Sequence, residues 1–428
     1  MNLLGRCQNR RSSLRSNPPM AVELDLEDLI AARDRIRDQV THTPLEHSEA
    51  LSSRLGAELR LKHENLQLTG SFKFRGASHK LARLDTGGQR PAGVVAASAG
   101  NHAQAVARAA RSREIPATVV MPETAPMTKV AACRSLGARI EQIGTTLEEA
   151  TERAHELAEA QGLAFISPYD DWDIIAGQAS CGLEMLESMP EMTTAVVCLG
   201  GGGLLSGIAL ALKLQRPDIR LVGVQAEAVA PWRHFLDDGE FEAVQPGSRT
   251  IADGISVKAP GKLTRQVIGE YVDEIVTVDD NAIARAIVTL LETTRTIGEG
   301  AGVVGLAALL DGRIELGVDE RVACVISGGN IDMSLVGRSI DFGLSASGRL
   351  LSIAVTLPDR PGSLSGLIAQ VAELGMNVRE VRHRRGETHV PVGLTEITLE
   401  LETRDSQHQQ QLLERLREQG LSARVLAA

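Results

Sequence analysis

The sequence predicts an α/β protein of two lobes, each a mostly parallel sheet with helices on both faces, followed by a small α+β module of ferredoxin-like plan. Three observations predict it. Short apolar strand patterns alternate with helical periodicity from residue 93 to 166, and a second such series runs from 182 to 326. Repetition in that order implies parallel strands joined by crossover helices. A Gly- and Ser-rich stretch at 338–348 then interrupts the pattern. Beyond it the order becomes strand, helix, strand, strand, helix, strand, which is the ferredoxin-like plan.

The chain in order supports this reading. Residues 1–19, MNLLGRCQNRRSSLRSNPP, carry arginines and serines and no acid, a composition that fits a transit peptide or an extension ahead of a start at Met20. We read it as a disordered extension. From 23 to 40 apolar residues recur at helical spacing with acids placed early, so an amphipathic helix is expected. THTPLEHS leads to a second helix and a short strand at 58–62. After a helix that starts near residue 73, strands are expected at 93–97, 117–121, 140–143 and 164–166, with helices at 103–113, 127–136 and 147–161. The second series places helices at 182–189, 204–214, 281–294 and 302–310, and strands at 194–199, 221–225 and 322–326.

Two such series argue for two lobes in a domain of residues 20–340, the smaller lobe covering roughly 65–168. Ligands in such sheets sit beyond the carboxyl ends of the strands. The linker is placed at 341–349. In the module at 350–428, strands are expected at 350–357 and 395–400 and helices at 364–374 and 406–418, with further strands from GMNV onward.

With 428 residues the chain is long enough for several full cores. A formal charge of −10 and a pI near 5.6 argue against a phosphate-backbone binder, which would need a basic face. No apolar run approaches membrane-spanning length, so neither nucleic acid nor membrane is expected as a partner. Five scattered cysteines without a CxxC pair suggest neither a disulfide framework nor a zinc site. They read as buried thiols of a cytoplasmic protein.

Four short stretches carry chemistry. TGSFKFRGA, residues 69–77, centres on Lys73. Thr69, Gly70 and Ser71 form a small polar turn of the kind that caps a helix, and a helix start offers a positive dipole end that lowers the pKa of an adjacent ammonium. Phe72 and Phe74 flank the lysine, and at most one of them can share its pocket. A desolvated lysine near positive potential suits Schiff-base chemistry. SAGNHAQ, residues 98–104, follows a strand; Ser98, Ala99, Gly100, Asn101 and His102 make a tight loop whose N–H groups can converge on a carboxylate. Gly200, Gly201, Gly202, Gly203 and Leu204 lie between an apolar strand and a helix, where backbone N–H groups can approach a phosphate closely. The spacing is neither GxGxxG nor GxxxxGK[ST], so a single monophosphate fits better than a dinucleotide. Ser327 ends a buried strand in VISGGN.

Together these motifs resemble the threonine/serine dehydratase group of the fold-type II pyridoxal-phosphate enzymes. The resemblance covers residues 41–330 in the family's order and includes IADGISVKAPG at 251–261. It implies pyridoxal 5'-phosphate as cofactor, held by Lys73 with Phe72, Asn101, Gly200 to Leu204, and Ser327 at the pyridine nitrogen. A serine there forms a neutral hydrogen bond where an Asp would keep the nitrogen protonated, which favours elimination over transamination. Ser98, Ala99, Gly100, Asn101 and His102 are implied to bind the amino-acid substrate, and Lys73 to remove its α-proton. The implied reaction converts L-threonine to 2-oxobutanoate and ammonia, with L-serine as a poorer substrate.

Departures from the family pattern matter as well. Glu299 is followed by Gly300 where many relatives have proline, so Glu299 is given no site role. No metal is assigned: Glu227 resembles a cation ligand of some relatives, but Arg233 follows where a second acid would lie. Serine racemases share this scaffold but need a second acid/base, a serine in that group, where this chain has Ala99. Cysteine synthases are less similar at the lysine motif, and intact Lys73 speaks against a non-catalytic amino-acid sensor. Residues 350–428 resemble an ACT domain, with Asp359-Arg360-Pro361-Gly362 in the first strand-to-helix turn and Asn377 at the end of the first helix. That resemblance implies a homo-oligomer, dimer or tetramer, and a branched-chain amino-acid effector. Isoleucine is the first candidate, since 2-oxobutanoate feeds its synthesis.

Overall fold

The computed structural model describes residues 22–86, 90–385 and 390–426, so the extension expected at 1–19 lies outside the described residues. The chain divides into one compact unit ending at Ile331 and a second beginning at Asp332. In the first unit β1 (Leu45–His47), β2 (Glu58–His63), β3 (Val94–Ala97), β4 (Ala117–Met121), β5 (Arg139–Gln142), β6 (Ala164–Phe165), β7 (Thr194–Cys198), β8 (Arg220–Ala226), β9 (Glu274–Val278) and β10 (Arg321–Ile326) build two sheets. The larger has the order β1-β2-β10-β7-β8-β9 and the smaller β5-β4-β3-β6. Every pairing is parallel except that of β1 with β2. The α/β architecture read from the sequence is therefore present.

Strand alternation decides how the smaller sheet is covered. Val94 and Ala96 enter one core with Ala103, Val106 and Ala110 of the helix Asn101–Arg111. Val95 and Ala97 point the other way, onto Ala150, Ala154 and Leu157 of the helix Leu147–Gln161. In the larger sheet every residue of β7 is buried, as expected for a parallel strand covered on both faces.

Three helices that position the site pack through glycine notches. A methyl group on Gly177, in the helix Trp172–Ser188, would lie 2.7 Å from the Cα of Gly76 in the helix Lys73–Thr86. On its other side that helix meets Gly207 of the helix Gly203–Lys213, where a Cβ would lie 2.6 Å from the Ile175 carbonyl oxygen. Backbone-to-backbone contact of this kind leaves little freedom to slide. The helices that begin at Lys73 and Gly203 are thus fixed against a common partner.

The helix Lys262–Tyr271 and the strand β9 were not expected from the sequence, and two further helices depart from the expectation. The helix read at 182–189 begins ten residues earlier, at Trp172, with Asp171 as its N-cap. Its middle, GQASCG, is small and buried all round, so it shows no amphipathic stripe. The residues read as a linker, 341–349, are helical up to Ala346 in the helix Met333–Ala346, capped by Asp332. Gly337 and Gly343 give that helix a linker-like composition, yet Val336, Ser339 and Gly343 form its buried side.

The second unit contains β11 (Leu350–Pro358), β12 (Asn377–Arg384), β13 (Leu394–Glu402) and β14 (Ala423–Val425) in one antiparallel sheet of order β12-β13-β11-β14. The helices Ser363–Glu373 and Ser406–Glu418 supply Leu367, Val371, Leu412 and Leu416 to its core. Asn377 opens β12 and does not end the first helix, because Gly375 with φ 72° has already stopped it. Among the described residues no helix is long and apolar enough to cross a membrane.

Candidate active site

A cavity of about 400 Å³ opens at the carboxyl ends of β3, β7 and β10, where Ser98, Gly200 and Ser327 follow their strands. It is lined by Phe72, Lys73, the loop from Ser98 to His102, the loop from Gly200 to Leu204, and Ser327. All the residues expected to hold cofactor or substrate therefore come together.

Lys73 is the first residue of its helix. The turn before it is strained, with Thr69 at φ 66°. The hydroxyls of Thr69 and Ser71 are buried without a hydrogen-bond partner, so they do not cap the helix as expected. What fixes the turn is a short ladder to the far end of the chain's first unit. Phe72 N donates to the Ser327 carbonyl at 3.0 Å, Gly329 N donates to the Gly70 carbonyl at 2.9 Å, and Ser71 bridges Gly328. The lysine and Ser327 are thereby held in one frame. Lys73 Nζ donates to the Pro168 carbonyl at 2.7 Å and lies 5.1 Å from the centre of the Phe72 ring. Phe74 points away into the smaller core. Burial lowers the ammonium's pKa to about 8, opposed by the nearby Cys198 and Glu299. The direction is the one expected, but its main cause is desolvation.

The second loop is ordered by its own polar groups. Gly100 N donates to Ser98 Oγ at 3.1 Å, and no side chain caps the helix that starts at Asn101. Asn101 Nδ2 donates to Glu299 Oε1 at 2.6 Å, while its Oδ1 accepts from Asn330 Nδ2 at 2.8 Å. Asn330 Nδ2 also donates to the Thr69 carbonyl at 2.7 Å, tying this loop to the lysine turn. His102 is buried with Nε2 2.9 Å from the Ile166 carbonyl. Burial, with Lys73 adding, pushes its pKa down to about 3, so the imidazole is neutral.

Glu299 corrects the sequence reading, which gave it no role. Its carboxyl group lines the cavity and is raised to about 7, chiefly by burial and then by Asp253. Gly300, the residue that cast doubt on it, answers a local clash: a Cβ there would lie 2.3 Å from the Ile251 carbonyl oxygen. Pro168, Cys198 and Asn330 were also missed. Asn330 ends the same VISGGN stretch as Ser327 but was given no role, Pro168 stands in no polar motif, and Cys198 sits in an apolar strand.

At the glycine loop, Gly202 has φ 95° and serves as N-cap of the helix Gly203–Lys213 without any side-chain cap. A Cβ on Gly201 would lie 2.3 Å from the Tyr169 ring, and one on Gly202 2.8 Å from Thr264 Cβ. Glycine is thus required at these positions by the packing around the loop. Ser327 Oγ accepts from the Cys198 thiol at 3.3 Å. An uncapped helix start, an amine of lowered pKa and a neutral hydroxyl in one cavity fit pyridoxal phosphate.

Glu227 lies elsewhere, half exposed, with the Arg233 guanidinium 3.9 Å from its carboxylate and donating to its backbone carbonyl at 2.9 Å. A guanidinium in that place does not fit a cation site. Among the described residues no group of three or more His, Cys, Asp or Glu could hold a metal.

The family model of pyridoxal-phosphate dependent enzymes matches residues 36–328. The L-threonine ammonia-lyase of Thermotoga maritima is 45% identical over 403 residues, covering 94% of this chain and 100% of that protein. The structure of threonine deaminase from T.th. is similar at a TM-score of 0.68 and 39% identity, covering 72% of this chain and 99% of that one. Maize serine racemase is similar at a TM-score of 0.70 and 34% identity, covering 75% and 98%.

Proposed function

Because the chain belongs to the pyridoxal-phosphate dependent enzyme family, we propose that it deaminates L-threonine to 2-oxobutanoate and ammonia, with L-serine as a second, poorer substrate. Pyridoxal phosphate, when bound, supplies an electron sink for the negative charge left at Cα. The residues do the rest. The backbone N–H groups from Gly200 to Leu204 hold the cofactor's phosphate, and Ser327 keeps its ring nitrogen neutral. The loop from Ser98 to His102 binds the substrate carboxylate, with Asn101 oriented by Glu299 and Asn330. Lys73 Nζ would anchor the cofactor and, as a free amine, would take the α-proton; burial, which lowers its pKa to about 8, favours that free amine near neutral pH. The β-hydroxyl would leave as water, taking up one proton for the one removed from Cα, and the enamine so freed would hydrolyse in water to 2-oxobutanoate and ammonia. The observation that carries this reading is the convergence of Lys73, the uncapped glycine loop and Ser327 on one cavity.

Racemisation requires reprotonation from the face opposite Lys73. At the loop position where racemases carry serine, this chain presents Ala99, whose methyl group transfers no proton. L-Serine should therefore yield pyruvate with almost no D-serine. Chiral chromatography checks this, and D-serine formed at a rate comparable to pyruvate would contradict the reading.

The second unit supports a regulatory reading as an ACT-like module that works in a homo-oligomer, dimer or tetramer. Gly362 has φ 93° and caps the helix Ser363–Glu373 without a side-chain bond, which leaves N–H groups for an amino-acid carboxylate. Isoleucine first and valine second are the expected ligands. Either should shift the threonine saturation curve by a factor of about 5 to 150, the usual range of allosteric coupling. If neither shifts the curve and calorimetry detects no binding, the regulatory reading falls while the deaminase reading stands. The four described cysteines are all buried free thiols, which supports a cytoplasmic setting.

A further inference from the structure

Trp232 takes no part in the chemistry above, yet it contacts the glycine loop directly. It is fully buried, and its indole Nε1–H donates to the Gly200 carbonyl at 2.8 Å. Its own backbone N–H donates to Gln225 Oε1 at 3.0 Å. Phe235 and Phe241 meet the indole edge-on, each 4.9 Å away between ring centres, and stack on each other at 5.1 Å. The Arg265 guanidinium covers both phenyl rings. Arg233, the next residue, ties the segment to the Glu227 carbonyl. Three of the chain's ten Phe, Tyr and Trp residues are gathered in this cage, so the orientation of the indole is fixed.

The consequence follows from peptide geometry. In a planar trans peptide the carbonyl of Gly200 and the N–H of Gly201 point in opposite directions. Trp232 does not line the cavity, whereas Gly200 and Gly201 do. A carbonyl aimed at Trp232 therefore turns the Gly201 N–H to the opposite side, away from Trp232. Between two glycines this peptide plane could rotate at little steric cost. Reversed, it would present a carbonyl oxygen to an anion.

We infer that Trp232 is a positioning residue that locks the Gly200–Gly201 peptide with its N–H toward the phosphate of the cofactor. The inference rests on the cofactor reading given above. It is tested on apoprotein by calorimetry with pyridoxal phosphate and with pyridoxal, which lacks the phosphate, in wild type and in Trp232→Phe. Wild type should prefer the phosphorylated ligand. Loss of one hydrogen bond in Trp232→Phe should reduce that preference about 3- to 10-fold. Affinity for pyridoxal should stay unchanged, and the ³¹P resonance of the bound phosphate should move. Equal changes for both ligands, or none for either, would overturn the inference. A wild type without preference would overturn both the inference and the assignment of the glycine loop. Should Trp232→Phe not fold, wild-type apoprotein gives the answer. The chain has two tryptophans and hence two indole N–H signals, and that of Trp232 must resist hydrogen exchange. Exchange as fast as in a free indole would overturn the inference equally.

Discussion

Lys73→Ala is expected to lose covalently bound cofactor and to lower turnover by several orders of magnitude. General-base loss alone removes about 10²- to 10⁴-fold of rate, and loss of the anchor adds to it. No neighbour can take over. His102 is held neutral with its Nε2 engaged by the Ile166 carbonyl, and Glu299 is occupied by Asn101. Pyridoxal phosphate can still enter, because the glycine loop and Ser327 are unchanged. The variant should therefore bind the cofactor without its lysine-linked absorbance band. Absorbance spectra and 2-oxobutanoate release measure both effects. Activity within tenfold of wild type, without an added amine, would contradict the role given to Lys73.

Arg75→Leu is expected to destabilise the protein by about 3–5 kcal/mol, the usual effect of removing one partner from a buried ion pair. Arg75 lies two residues after Lys73 with its side chain fully buried, and it grips two carboxylates with two bonds each. Its Nε and Nη2 donate to Glu64 at 2.7 and 2.8 Å, and its Nη1 and Nη2 donate to Glu184 at 2.7 and 2.8 Å. Lys62 completes the cluster, bonding Glu184 at 2.6 Å and the Thr43 carbonyl at 2.7 Å. Two cations thus balance two carboxylates. The Arg75 guanidinium holds the Glu64 carboxyl below its usual range although burial alone would raise it. Without Arg75, Lys62 alone faces both carboxylates. The same cluster joins β2, the helix Lys73–Thr86 and the helix Trp172–Ser188, so its loss should also loosen the amine of Lys73. A lowered urea midpoint measures the stability change. A loss below about 1 kcal/mol would show that the cluster relaxes or admits water.

The strand-to-helix alternation was legible where a parallel strand is a short apolar run ended by a turn, as in AVVCLG before the glycines; β9, half-buried along most of its length, was not read. Lys73, Asn101, Gly200 to Gly203 and Ser327 were legible because each stands in a motif at a strand end or helix start. Residues that act through tertiary contact were not. Glu299 looks like one acid among many until the Asn101 amide meets it. Trp232 lies 32 residues beyond Gly200, and no local pattern links an indole to a distant carbonyl. The helix Trp172–Ser188 escaped in its first half because small residues that let backbones touch carry no amphipathic signal. The helix Met333–Ala346 escaped because its glycines and serines are also the composition of a linker.

The measurement that tests the central claim most directly is product analysis on the purified full-length chain supplied with pyridoxal phosphate and L-threonine. The account predicts 2-oxobutanoate and ammonia released in equal amounts, without an added metal ion, and no release by Lys73→Ala. Threonine left unconverted by a wild-type protein that has bound its cofactor, or altered without release of ammonia, would contradict it.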